Sequence, residues 1–277
     1  MSRRIMLTVA YDGTEYAGFQ RQKQDPRTIE GALDRALCEL TDETIEVIGA
    51  SRTDAGVHAL CNIAVFDTES HIPPEKFALA VNRFLPPSIR VRRSCEVRAD
   101  FHPRRCGTVK TYEYTIYNAD FPNPVRRLYT YYSYSRFDVG SMQRAAQYLV
   151  GTHDFASFCS IYSQAETTVR TILSAEVLPT SECMPREIVI RIRGTGFLYN
   201  MVRIIAGTLM EVGRGRLAPE EMPAILEAKE RRRAGPTAPP KGLVLADFLF
   251  TEGDPALRSR NETETKTLFD NTGRTSL

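Results

Sequence analysis

The chain has 277 residues, of which 42% are hydrophobic and 25% charged, and its 36 Lys and Arg against 34 Asp and Glu leave a net charge of +2. At roughly 150 residues per domain, this is one large or two small domains, long enough to bury a core without a disulfide or metal staple. Such a composition excludes a disordered chain, a collagen-like repeat and a membrane span, and the charge balance neither demands nor forbids a nucleic-acid partner.

Residues 4–11 place Ile5, Leu7, Val9 and Tyr11 on one face of a predicted strand. Thr28 is positioned to cap a helix on which Ile29, Ala32, Leu33, Ala36, Leu37 and Leu40 share a side. Short strands are predicted over Ile45–Ile48 and residues 60–67. Pro73–Pro74 opens a second helix, with Phe77, Val81, Phe84 and Leu85 on one face, and Pro86–Pro87 ends it. A strand through Ile89, Val91, Cys95 and Val97 completes the order β-α-β-β-α-β, a ferredoxin-like split unit.

The pattern restarts near residue 107. Tyr112, Tyr114 and Ile116 alternate along a strand, Leu128–Tyr134 forms an aromatic strand, and Asp138 caps a helix through Met142, Ala145, Ala146 and Leu149. Residues 170–178 and 187–193 are a predicted strand pair. Helices over about 197–212 and 219–229 follow, and a strand over Val244–Phe250 closes the pattern. The expected fold class is therefore α+β: two ferredoxin-like halves, antiparallel or mixed sheets flanked by helices, meeting across a central cleft. The halves are 1–105 and 106–250, and 251–277, poor in apolar residues and without a period, is an expected mobile tail.

Four features carry chemistry. Ser51-Arg52-Thr53-Asp54-Ala55-Gly56-Val57-His58-Ala59 packs a carboxylate, a cation, a hydroxyl and an imidazole around one glycine between two strands, either as a plain turn or as a loop holding functional groups. In the run Phe197–Val212, FLYNMVRIIAGTLMEV, Arg203 is the one positive charge. Either Arg203 snorkels from the helix to water, or, if buried, its guanidinium needs a carboxylate, preferably a two-point one. Asp54, Asp12 and Asp100 are the candidates, and pairing would favour the ionised acid. Lys110-Thr111-Tyr112-Glu113-Tyr114 offers a ring that either fills the core or stacks on a base. The clusters Arg3–Arg4, Arg90/Arg92/Arg93, Arg104–Arg105, Arg126–Arg127 and Arg231–Arg233, interleaved with tyrosines, suit a phosphate backbone.

The six cysteines form no Cys-x-x-Cys pair, and with four scattered histidines a zinc site is not expected. Reduced thiols and the lack of a signal-peptide pattern point to the cytoplasm.

Together YDGTEYAGFQRQ (Tyr11–Gln22), SRTDAGVHA (Ser51–Ala59), KTYEY (Lys110–Tyr114), GFLYNMVRIIAG (Gly196–Gly207) and GLVL (Gly242–Leu245) resemble the tRNA pseudouridine synthase A family, in the family's order and over roughly residues 4–250. The resemblance implies isomerisation of uridine to pseudouridine in the anticodon stem and loop of tRNA, in an RNA-binding cleft, by a homodimer that needs no metal or organic cofactor. It implies that Asp54 is the catalytic residue, with attack on the ribose, addition to the base and removal of a ribose proton all open. It further implies that Tyr112 stacks on the target base, Arg203 pairs with Asp54, and Arg52 helps displace the base and fills its place. Leu243 or Val244 lines the pocket, and His58 orders the loop or touches RNA. Asp12 and Gln20 are further cleft candidates. Ser51 stands where the family usually has Gly, and would be strained if that position required a positive φ.

Overall fold

The computed structural model describes residues 2–179 and 186–251. The expected mobile tail, from residue 252 on, lies outside the described residues.

Strand β1 (Arg3–Tyr11) runs down the middle of the N-terminal half, between β3 (His58–Thr68) and β4 (Ile89–Val97), antiparallel to both. Its Ile5, Leu7, Val9 and Tyr11 are all buried, as their alternation requires. Helix α1 (Ile29–Thr41) begins where the Thr28 hydroxyl accepts from the Gly31 N–H, and it ends at Asp42 in the left-handed region.

The strand predicted over Ile45–Ile48 shrinks to β2 (Ile48–Gly49). Side chains of α1 take over the backbone partners a strand would supply: Asp34 accepts from the Val47 N–H at 2.8 Å, and Cys38 Sγ from Ile45. The second helix is also shorter than its pattern. A 3-10 turn over Pro74–Lys76 leads into α2 (Phe77–Val81), which stops because the Asn82 side chain pairs with the Val91 backbone in both directions at 2.8 Å. Phe77 and Val81 are buried, but Phe84 is exposed.

In the C-terminal half, β5 (Thr108–Asn118), α3 (Val139–Gln147), β8 (Val169–Pro179), β9 (Glu187–Gly194), α4 (Met201–Gly213) and β10 (Leu243–Phe250) repeat the β-α-β-β-α-β order. Asp138 caps α3 as expected. The aromatic strand contracts to β6 (Tyr131–Ser133), parallel to the end of β5, and a short β7 (Gly151–Asp154) borders β8. The last helix is α5 (Met222–Ala228), entered through a 3-10 turn at Pro219.

Strand order is β4-β1-β3-β2 in the first half and β10-β5-β9-β8 in the second, antiparallel throughout each. The two halves are thus topological copies without a sequence repeat. They share one ten-stranded sheet, joined where β10 lies parallel to β3 through Val244 opposite His58 and Leu245 opposite Ala59. Among the described residues no helix is long and apolar enough to cross a membrane.

Candidate active site

The Asp54 loop runs from β2 to β3 and is fixed by side chains beneath it. Asn62, fully buried on β3, accepts from the Ser51 N–H and donates to the Ser51 carbonyl and to the Tyr11 hydroxyl. Tyr11 in turn meets the Thr53 hydroxyl at 2.7 Å. Phe19 N–H donates to the Thr53 carbonyl, and Val57 N–H closes a turn onto the Asp54 carbonyl. Gly56 makes that turn at φ +76, open to glycine without strain. Asn62 is a support residue that the sequence reading passed over, and Tyr11, named there only as a strand-face and motif residue, is a second. The available signal was an amide inside the apolar run Ala59–Phe66.

Arg203 reaches the loop from α4. Its Nη1 donates to Asp54 Oδ2 at 3.1 Å and to Asn200 Oδ1 at 2.7 Å, and its Nε donates to the Ala238 carbonyl at 2.8 Å. Both side chains of the pair are 15% exposed. Of the three carboxylates considered, Asp54 is the partner. Asp12 bonds Thr14 and Tyr129, and Asp100 pairs with Arg98. The contact is through one nitrogen rather than the expected two: Nη1 is shared with Asn200, and Nε is turned to the Ala238 carbonyl. No described residue bonds Asp54 Oδ1.

The helix expected from residue 197 starts at Met201 because Asn200 adopts the left-handed conformation, φ 61. That break turns Phe197, Leu198 and Tyr199 toward the site and puts the Asn200 amide on Arg203. Further along α4, Gly207 lets the segment Pro236–Ala238 lie directly on the helix: a Cβ there would stand 1.8 Å from the Pro236 carbonyl oxygen.

The carboxyl of Asp54 is pushed above the usual carboxylate range by burial; Arg203 pulls it back only partly. Pairing favours the ionised acid as expected, but burial outweighs the hydrogen bond and the charge of Arg203 together. Tyr112 is buried, with Phe197 edge-on at 5.1 Å between ring centres. Burial, then Tyr11 and Asp54, raise its phenol. Ser51 Oγ is buried beside that phenol and lowers it again in part, though it makes no hydrogen bond of normal geometry. Among the described residues positive φ at non-glycine positions is confined to Asp42, Asn200 and Lys229, so Ser51 carries no such strain.

These groups line one cavity of about 680 Å³ beside the β3–β10 junction. Arg52, Asp54, Tyr112, Arg203, Leu243 and Gln20 are in its wall, together with Lys110 and Phe197, named in the sequence only as parts of motif blocks, and Arg170 and the segment 162–165, which the sequence reading did not single out. Val244, His58 and Asp12 are not in the wall. His58 is 6% exposed; its Nδ1 accepts from the Gly13 N–H at 3.1 Å and lies 3.2 Å from Asp12 Oδ1. Its Nε2 faces the Leu128 and Lys241 carbonyls, so the ring ties the end of β1 to the second half.

Most predicted basic clusters brace the fold. Arg4 grips Asp67 at 2.7 and 2.6 Å, and Arg126 grips Glu187 at 2.7 and 3.1 Å. Arg3 donates to the Ser70 and Ile72 carbonyls, Arg90 to those of Pro86 and Ile89, and Arg231 to those of Ala234 and Gly235. Arg52, by contrast, is exposed and bonds to no described residue. No cluster of potential metal ligands occurs among the described residues.

A family model described as tRNA pseudouridine synthase matches residues 7–104 and 145–251. The chain is 47% identical over 248 residues to tRNA pseudouridine synthase A of Acetivibrio thermocellus, which covers 90% of this chain and 100% of that protein. Identity to tRNA pseudouridine synthase A of Caldicellulosiruptor bescii is 46% over 248 residues, with the same coverage. To tRNA pseudouridine synthase A 2 of Clostridium tetani it is 45% over 251 residues, again covering 90% and 100%. A full-length match to these relatives, on a scaffold that gathers its five motif blocks around one cavity, places the chain in the tRNA pseudouridine synthase family, isomerases that convert uridine to pseudouridine.

Proposed function

We propose that the chain isomerises uridine in the anticodon stem and loop of tRNA, with Asp54 as the reacting carboxylate. The observation that carries the residue assignment is the 3.1 Å contact from Arg203 to Asp54 in the wall of a cavity shared with Tyr112. The reaction neither adds nor removes atoms overall. The bond from ribose C1′ to N1 breaks, the base turns, and C1′ bonds to C5, while C5 gives up a proton and N1 gains one.

A stacked, paired base is out of reach until it is flipped, which costs a few kcal/mol. Arg52, exposed at the cavity and unpaired among the described residues, offsets that cost by entering the gap and meeting phosphate. The freed uracil must turn without escaping. Tyr112 supplies a stacking face, and Leu243 with Phe197 supplies apolar wall. A raised phenol pKa keeps Tyr112 neutral, so its role is that of a ring and a hydroxyl rather than a phenolate base. Arg203 fixes Oδ2 and leaves Oδ1 for the substrate.

His58 and Val244 act as positioning residues: one ties the loop to the second half and the other sits in the strand junction. The two halves, 1–105 and 106–250, act as one working unit around the cavity. An L-shaped RNA is larger than one such chain, which supports a homodimer sharing one tRNA, and tRNA maturation fits a cytoplasmic setting.

The test is incubation with an unmodified tRNA transcript, without added metal or nucleotide, followed by carbodiimide treatment and reverse transcription. Pseudouridine in the anticodon arm is expected. An untouched arm beside a modified ribosomal RNA fragment would reassign the substrate.

A further inference from the structure

We propose that Lys110, Arg52 and Arg104 form a binding site for a single backbone phosphate of the RNA, next to the base held at Tyr112. The inference rests on the tRNA reading above and adds a contact to it. Lys110 lies on β5 two residues before Tyr112, and both side chains are in the wall of the same cavity. Alternate residues of a strand share a face and stand roughly 6.6 Å apart, the scale on which a nucleotide separates its base from its phosphate.

Lys110 is half-buried, with its Nζ over the Phe248 ring on β10 at 5.4 Å from the centroid. No carboxylate among the described residues lies within ion-pair distance of it. The charges acting on it are two more cations, Arg104 from the β4–β5 loop and Arg52 from the Asp54 loop. On the neighbouring β10, Asp247 makes no ion pair with Lys110, and the cation acting on it is Arg193. Arg104 is tethered by its Nε to the Gly49 carbonyl at 2.7 Å and has Glu30 at 3.7 Å. Arg52 has no partner among the described residues.

Lys110, half-buried in the cavity wall, faces two exposed cations, Arg52 in the same wall and Arg104 just outside it, and that repulsion disfavours its charged form in the free protein. Burial first, then Arg104 and Arg52, push the Lys110 ammonium down to about 8. An anion seated among them removes the repulsion and restores the charge. A phosphate diester supplies that anion in a form the cavity's base-stacking ring can share. This use contrasts with Arg4 and Arg126, whose carboxylate partners come from the protein itself.

The test is binding of an unmodified tRNA transcript to the full chain as a function of salt and pH, for wild type, Lys110→Gln and Lys110→Arg. Lys110→Gln should reduce the salt slope of log affinity by about one. Wild-type affinity should fall about tenfold between pH 7 and pH 9, as the competent, protonated fraction shrinks. Lys110→Arg, which stays charged, should keep the salt slope and flatten the pH profile. Because Lys110→Gln removes a cation from like neighbours, it should melt no lower than wild type, which separates a binding loss from misfolding.

An unchanged slope and pH profile in Lys110→Gln, with wild type still forming pseudouridine, would overturn the phosphate site alone. Absence of both binding and pseudouridine in wild type would overturn the underlying reading and the site with it.

Discussion

Asp54 is a carboxylate made costly by its position and kept there by one guanidinium. Burial raises its pKa and Arg203 lowers it again in part, so the ionised form needed for reaction appears at higher pH than for an exposed aspartate. The acid limb of the rate profile should therefore lie above the ordinary carboxylate range. Arg203→Met should move it further up, because the one favourable charge is gone, while removing the shared partner of Asp54, Asn200 and Ala238 at a cost of about 3–5 kcal/mol. A limb that stays in place in that variant would show that Arg203 does not act on the carboxyl. The same shift has a stability consequence. A folded pKa above the unfolded one gives stability that is present at low pH and lost as pH rises through the folded pKa. Asp54→Asn stays neutral, so its melting temperature should gain on that of wild type over that rise, and a constant difference would contradict the shift.

At the scale of elements, α4 is the part on which the site depends. It carries Arg203, its broken start at Asn200 aims Phe197 and Tyr199, and its Gly207 seats Pro236–Ala238. Gly207→Ala should drive that segment away, costing about 1–3 kcal/mol by overpacking. It should also lower turnover more than its effect on melting implies, since Ala238 holds Arg203. Equal stability and rate would mean that the segment yields without cost. The helix was legible as an apolar run with one cation, because burial leaves that pattern in sequence. Its true start was not, since the left-handed turn at Asn200 that breaks it leaves no mark in the apolar pattern. The strand expected over Ile45–Ile48 failed because side chains of α1, Asp34 and Cys38, serve as its backbone partners. The basic clusters were legible only as charge: a run of arginines looks the same whether an acid distant in sequence pairs with it, as Asp67 does with Arg4 and Glu187 with Arg126, or RNA does. The Asp54–Arg203 pair itself was legible, through the demand of a buried charge for a partner.

At the scale of the whole molecule, two copies of one topology share a sheet, and the cavity lies where β10 meets β3. β10 belongs to the second half yet pairs with the first, and His58 adds a tie to Leu128 and Lys241. Thermal unfolding should accordingly be a single transition by calorimetry, with matching calorimetric and van't Hoff enthalpies; two resolved transitions would show halves that stand alone. The joined halves bring a carboxylate from one and a guanidinium and ring from the other to one wall, and on that meeting the proposed chemistry depends. Its most direct test uses tRNA carrying tritium at uridine C5, the position that must lose its hydrogen when the base is rejoined. Wild type should release tritium to water while Asp54→Asn binds the same RNA and releases none; release at the wild-type rate by Asp54→Asn would contradict the account.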